Sequence, residues 1–366
     1  MNPRITALGM SSPLGGVVQA CAAFRAGISR VAPSRDLVCR AEGESDPQPL
    51  PVLEASGVTF GLRGVGRLVA LLGEAFQDLA PAGDLPRLAE LPVFLAVPDP
   101  MSRGIPVEQE LWRDVPGKAS ALGTRVLEQV FENLGLWRGR QPWHFFGGGH
   151  AAFASAVAAA HRGLRQRDFP ACLVAAVDSL VIPEVLEAMM GEGWLKTPDN
   201  PVGFIPGEAA VVTLLTAPRS GEGSAPLALL RGVMLGHEPR AEASDAPPLG
   251  HALTQCLLAA LEGAEAPRDK WVLVSDHDGE QRRAMELGGL QLSLRGQGVG
   301  QGGLSVWLPA TGFGNTGAAS GAVGLCVAVR GIQRNHAPAP VMAVLSASDG
   351  PERAALIVSA PSAPRT

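Results

Sequence analysis

Twice in this chain an apolar strand runs into a glycine-rich turn and then into a helix of small residues. Residues 143–164 read WHFF then GGGHAAFASAVAAAHRGL, and residues 304–332 read LSVWLP, then after two residues GFGNTGAASGAVGLCVAVRGI. Both helices close on Arg-Gly, and each is followed by another apolar strand, ACLVAAV or VMAVL. Helices built from Ala, Gly and Ser let neighbouring backbones approach closely, so these two belong in a deep central layer. The repeat predicts one α/β body with five layers, α/β/α/β/α, built from two related halves. The loop APRSGEGSAP at 217–226 is the best internal boundary. It divides the chain into halves 1–220 and 221–366, expected to form one compact unit.

Alternating apolar runs and helical periods fill in that plan. Strands are expected at Arg4–Leu8, Pro92–Val97, Trp143–Phe146, Ala171–Ala176, Glu208–Thr216, Leu227–Leu235, Trp271–Ser275, Leu304–Leu308, Val341–Leu345 and Ala354–Ser359. Helices are expected at Gly16–Ala26, Leu62–Leu79, Leu122–Leu134, Ala151–Arg165, Pro183–Met190, His251–Leu261, Gln281–Leu287 and Ala318–Ile332. Arg40–Pro51, Ala80–Pro86 and His237–Gly250 read as loops, and the closing SAPSAPRT as a fraying tail.

Composition removes several function classes. Hydrophobic residues make up 46% and charged residues 18%, which suits a globular core rather than disorder. The net charge is -5 with no basic stripe, so nucleic acid and anionic lipid are unexpected partners. No charge-free apolar run reaches the ~18–20 residues of a membrane span. The opening MNPRITALGMSSPLGG lacks a basic stretch followed by a continuous apolar core. Five scattered cysteines without a CxxC fit a reducing compartment, so a cytoplasmic location is expected.

Four stretches resemble the β-ketoacyl synthase branch of the thiolase superfamily. They are ITALGMSSPLGGVVQACAAFRAGISR (5–30), FPACLVAAVDSL (169–180), LKTPDNPVGFIPGEAAVVTLL (195–215) and GFGNTGAASGAVGL (312–325). Their order and spacing carry the resemblance, which implies a thiolase-like fold with no cofactor and no metal. By that resemblance the nucleophilic cysteine falls at position 150, which is His150 here. Of the two catalytic partners it implies, the first falls just after WVLVS, at His277, or at Asp278 if shifted by one residue. The second falls on Asn315. The resemblance also implies a supporting role for Glu208 and a pocket lined by Phe204 and Phe313. Where the family carries a glycine-rich loop before its last strand, this chain has SASDGPER (346–353). That departure removes flexible glycines that let backbone N–H groups approach an oxyanion.

Other readings of the same motifs are weaker. GFGNTG matches GxGxxG, but no acidic residue lies between Glu286 and Asp349 to bind a ribose. SDHDGE holds one histidine among three acids, without a second histidine at ligand spacing. A helix head that would activate a thiolate gives a histidine no such advantage. The chain is therefore expected to be a degenerate condensing-enzyme homologue that acts by binding. It would work as a homodimer, as a partner subunit of an active synthase, or as a stand-alone adaptor, with an acyl carrier protein or acyl thioester as a further ligand. The alternative is an acyltransferase or malonyl-thioester decarboxylase of altered chemistry, using His277 and Asn315.

Overall fold

Twelve strands and eight longer helices order the chain, seen in a computed structural model that describes residues 2–361 apart from 41, 44, 81–83, 106–114, 219–224, 240–248 and 268. The strands are β1 (Arg4–Ser11), β2 (Ala32–Cys39), β3 (Gln48–Val52), β4 (Val93–Ala96), β5 (Trp143–Phe146) and β6 (Ala171–Ser179), then β7 (Glu208–Thr216), β8 (Ala228–His237), β9 (Trp271–Ser275), β10 (Leu304–Trp307), β11 (Val341–Ala347) and β12 (Glu352–Ser359). The helices are α1 (Val17–Arg25), α2 (Gly64–Leu79), α3 (Val115–Asn133), α4 (Ala152–Gln166), α5 (Pro183–Gly191), α6 (His251–Gly263), α7 (Gln281–Gly296) and α8 (Ser320–Gln333). The boundary assigned between 220 and 221 lies outside the described residues. So do much of the 237–250 loop and residues 362–366 of the tail.

Ten strands form one sheet in the order β10-β9-β11-β12-β8-β1-β7-β6-β4-β5. Outward from its centre, the first half runs β1, β7, β6, β4, β5 and the second runs β8, β12, β11, β9, β10. The same sequence of pairings therefore occurs twice. In each half the three outer strands run parallel, while the pairings nearer the centre are antiparallel. The halves meet at a short corner, where Arg4 pairs with Leu229 and Ile5 with Ala228.

Strand periodicity sorts the side chains into layers. On β6, Cys172, Val174 and Ala176 join the central core, while Leu173, Ala175 and Val177 join an outer core under α2 and α3. On β11, Met342 and Val344 face the centre, and Val341, Ala343 and Leu345 face α6 and α7. The central layer is α4 and α8, buried from both sides. Their small residues are required there. A Cβ on Gly321 would lie 2.8 Å from the Ser346 hydroxyl, and one on Gly324 would lie 2.9 Å from a Val344 methyl. Overpacking of this kind costs ~1–3 kcal/mol.

All ten sheet strands lie where the sequence places them, within a few residues at their ends. Two readings are corrected. Gln48–Val52, read as loop, pairs with β2 as a separate two-stranded ribbon. Its prolines and broken register hide the strand period, yet Leu50 and Val52 are buried against Leu180, Val185 and Leu186. Helix α7 also continues well past Leu287 to Gly296. Gly288–Gly289 reads as a stop, but a Cβ on Gly289 would meet the Leu249 carbonyl at 2.2 Å, so that glycine serves close packing. Among the described residues, no helix is long and apolar enough to cross a membrane.

Candidate functional site

Position 150 is set by two glycines. Gly148 and Gly149 have φ of 112° and 70°, left-handed values that a side chain resists. They turn the chain from β5 into the short turn Gly149–Ala151 and then into α4. His150 is left 2% exposed at the head of that helix.

Both ring nitrogens of His150 have partners from the second half. Nδ1 lies 2.9 Å from Asp276 Oδ2, and Nε2 lies 3.1 Å from Asn315 Oδ1. The Asn315 amide is held in one orientation. Its Oδ1 accepts the Gly317 N–H at 2.9 Å, and its Nδ2 donates to Asp278 Oδ2 at 2.7 Å. Both ring nitrogens therefore face side-chain oxygens. Each is engaged by a fixed neighbour rather than presented to a substrate in the cavity.

Three carboxylates gather around Arg283. Its guanidinium donates to Asp349 Oδ1 at 2.6 Å and to the Ala347 carbonyl, and stands 3.6 Å from both Asp276 and Asp278. Burial pushes the Asp276 carboxyl up. The hydrogen bond and charge of His150, with Arg283 and the Ala347 N–H, outweigh burial and hold it below its usual range. Asp349 is likewise held low: burial opposes its charge, and Arg283, then His150, favour it. Its side chain is 68% exposed, so the neighbouring cations govern it more than burial does.

The backbone donors near the helix head are occupied. Ala151 N–H donates to the Ser348 hydroxyl at 3.1 Å, and that hydroxyl donates to the Gly148 carbonyl. Ala347 N–H donates to Asp276 Oδ2 at 2.8 Å. An oxyanion site needs free donors aimed at the developing charge. Here side chains have taken two such donors, the Ala151 and Ala347 N–H groups, and the adjoining loop presents a carboxylate at Asp349.

A cavity of about 300 Å³ opens beside His150. Leu180, Val185, Met189, Trp194 and Phe204 form its apolar wall, and Asp99, Arg103 and Asp349 its charged rim. Arg103 is clamped on Asp178 by two parallel bonds, Nε to Oδ1 at 2.8 Å and Nη2 to Oδ2 at 2.9 Å. Asp178 Oδ2 also accepts the Ala318 N–H at 2.8 Å, which ties β6 to the approach of α8.

The expected site residues divide accordingly. His150, Asn315 and Phe204 share the cavity wall. Glu208 is fully buried below it, accepting from Ala55 N–H, Thr59, Arg67 and Ser179. Ser179 adjoins Asp178, so this carboxylate braces the cavity from beneath.

Two residues are placed differently from the expectation. The buried Nδ1 of His277 has no hydrogen-bond partner among the described residues, and its ring is absent from the network around His150. Side-chain parity explains this: continuing from β9, residues 276 and 278 point to one side and 277 to the other. Of the two register options, Asp278 is the one whose side chain touches Asn315. Phe313 has no exposed surface and packs on Phe24, with ring centroids 6.0 Å apart, in the central core rather than the cavity.

The GFIPGE block has a mechanical task. Gly207 N–H donates to the Asn315 carbonyl at 2.8 Å, and Asn315 N–H donates to the Ile205 carbonyl at 2.8 Å. A Cβ on Gly207 would lie 2.1 Å from the Phe313 carbonyl oxygen. Asp276, Arg283, Ser348 and Asp349 were missed as site residues. Their only sequence signals are the acids of SDHDGE and the replaced glycine loop.

A doubly repeated five-strand order around two buried helices, with the site at the head of the first, defines the thiolase-like ketosynthase fold. Solved structures with this architecture match over nearly the whole chain. The ishigamide ketosynthase/chain length factor superposes with a TM-score of 0.65 at 18% identity, covering 98% of this chain and 99% of that one. A type II polyketide acyl-carrier protein in complex with its ketosynthase gives 0.72 at 15% identity, covering 98% and 99%. The ketosynthase from module 6 of the bacillaene synthase of Bacillus subtilis 168 gives 0.69 at 16% identity, covering 99% and 72%. No family model and no curated protein matches the sequence.

Proposed function

We propose that this chain has exchanged condensation for binding and serves as the non-catalytic partner of an active synthase in fatty acid or polyketide assembly. One observation carries the reading: both ring nitrogens of His150 are committed, to Asp276 and to Asn315. The nucleophile position thus holds no nucleophile. The Ser348 hydroxyl and the Asp276 carboxylate take N–H groups that an oxyanion would need. The alternative decarboxylase has less support, because His277 lies outside the network and Asn315 Nδ2 is spent on Asp278.

Pairing is favoured by the sheet itself. Strand β5 ends the ten-stranded sheet with β4 as its neighbour on one side, and an edge strand invites a strand from another chain. Similar structures titled as a ketosynthase/chain length factor, and as a ketosynthase with its acyl-carrier protein, support a synthase subunit and a carrier protein as partners. We place the complex in the cytoplasm, in keeping with five free cysteines. Residues 1–220 and 221–366 act as one unit in this reading, since His150 comes from one half and Asp276 and Asn315 from the other.

Two measurements test it. Incubation with acyl and malonyl thioesters, followed by intact-mass analysis, is expected to leave the mass unchanged. Light scattering and pull-down are expected to show a dimer, either with itself or with a ketosynthase. A stoichiometric acyl adduct on His150 refutes the non-catalytic reading. A stable monomer that recovers no synthase refutes the partner reading.

A further inference from the structure

A second cavity, of about 450 Å³, lies against β10 between α1 and the C-terminal end of α8. It shares no lining residue with the cavity beside His150. Phe24, Val306, Trp307, Leu308 and Val327 give it an apolar wall, and Arg25 stands on it with no acidic side chain beside it among the lining residues. Arg25 itself is exposed and makes no ion pair among the described residues. Trp307 is held in place by a stacked His336, with ring centroids 5.7 Å apart at 23°. Its other support is Gly331, where a Cβ would lie 2.9 Å from the indole.

Two guanidinium groups act on the His336 side of the cavity. Burial lowers the pKa of His336, and Arg25 and Arg330 lower it further, so two cations bear on one imidazole. Cys21, also in the wall, stays a neutral thiol, its pKa pushed up to about 12 mainly by burial. An apolar cavity of this size with one or two directed polar groups has the make-up of a small-molecule site. A guanidinium without a partner at such a rim recognises a carboxylate through charge-assisted bonds.

We propose that this cavity binds a small amphipathic monocarboxylate, its apolar body against Trp307, Leu308 and Val327 and its carboxylate on Arg25. The site is separate from the one around His150, although one segment serves both. Leu308 and Thr311 line this cavity, and Asn315, a few residues on, holds His150.

The test uses octanoate and its uncharged counterpart 1-octanol on the full chain. Binding is read from the indole N–H resonances of the six tryptophans, with the Trp307 signal assigned through Trp307→Phe. Octanoate is expected to shift the Trp307 signal saturably. Octanol is expected to bind about tenfold more weakly, as loss of one charge-assisted contact predicts. Arg25→Glu should weaken octanoate by about tenfold or more, while Arg25→Lys keeps most of the affinity. Circular dichroism establishes that both variants are folded, which an exposed position favours. No saturable shift at Trp307 with millimolar octanoate overturns the proposal. So does equal binding of octanol and octanoate, or unchanged binding by Arg25→Glu.

Discussion

Replacing His150 by alanine tests how much the network around it contributes to stability. The substitution removes a charge-assisted bond to Asp276 at 2.9 Å and an amide bond to Asn315 at 3.1 Å. Bonds to charged groups contribute about 1.5–3 kcal/mol and neutral ones about 1 kcal/mol. Asp276 keeps the Ala347 N–H, with Arg283 nearby, and Asn315 keeps the Gly317 N–H. The orphaned groups are thus only partly stranded, and about 3 kcal/mol is the expected cost. With an unfolding entropy of ~2.1 cal/mol/K per residue, this corresponds to about 4 °C in Tm. Acid supplies a control with a defined sign. The Asp276 carboxyl is held below the usual aspartate range in the folded chain. Its contribution is therefore present above the unfolded value and is lost as pH falls through the folded one. Denaturant unfolding of both proteins at pH 5 should show the full gap, and the gap should shrink as pH is lowered below about 4. A difference under about 1 kcal/mol at pH 5, or one that persists unchanged into acid, refutes the reasoning.

Three further outcomes follow from the same geometry. Arg283→Met removes the cation among Asp276, Asp278 and Asp349 and should cost about 3–5 kcal/mol, measured by denaturant unfolding. Gly317 has φ 52° and its added Cβ would lie 2.0 Å from Asp178 Oδ2, so Gly317→Ala should destabilise by about 2 kcal/mol or more in a thermal melt. His150→Cys introduces a thiol but leaves the Ala151 and Ala347 N–H groups occupied, and losing one oxyanion donor costs about 100–1,000-fold in rate. A condensation assay with acyl and malonyl thioesters is expected to give no product.

What the sequence reveals follows the strength of its periodic signals. The ten sheet strands are legible because buried β-branched and aliphatic runs such as VVTLL and WVLVS leave little choice of state. The β2–β3 ribbon is not, since prolines occupy positions where an alternating pattern would show. At the site, His150 and Asn315 are legible only through the resemblance, from the order and spacing of the motifs that carry it. His277 misleads because a strand leaves parity as the only guide, and a shift of one residue exchanges the faces. Arg283 and Asp349 meet across 66 residues, and no local pattern records such a contact. SASDGPER gives notice only that something has replaced a glycine loop.

The site around His150 lies where the two halves of the fold meet, which accounts for the kind of residue found there. The head of α4 comes from the first half, and the segments carrying Asp276, Asn315 and Ser348 come from the second. A side chain at 150 with a polar atom on each of two sides joins Asp276 to Asn315, and Asn315 passes the connection to Asp278 and Arg283. Histidine, with two ring nitrogens, meets that requirement, while cysteine, with one weak donor, does not. The backbone clamp between Gly207 and Asn315 keeps its use in either case, because it sets the spacing across which that bridge is built.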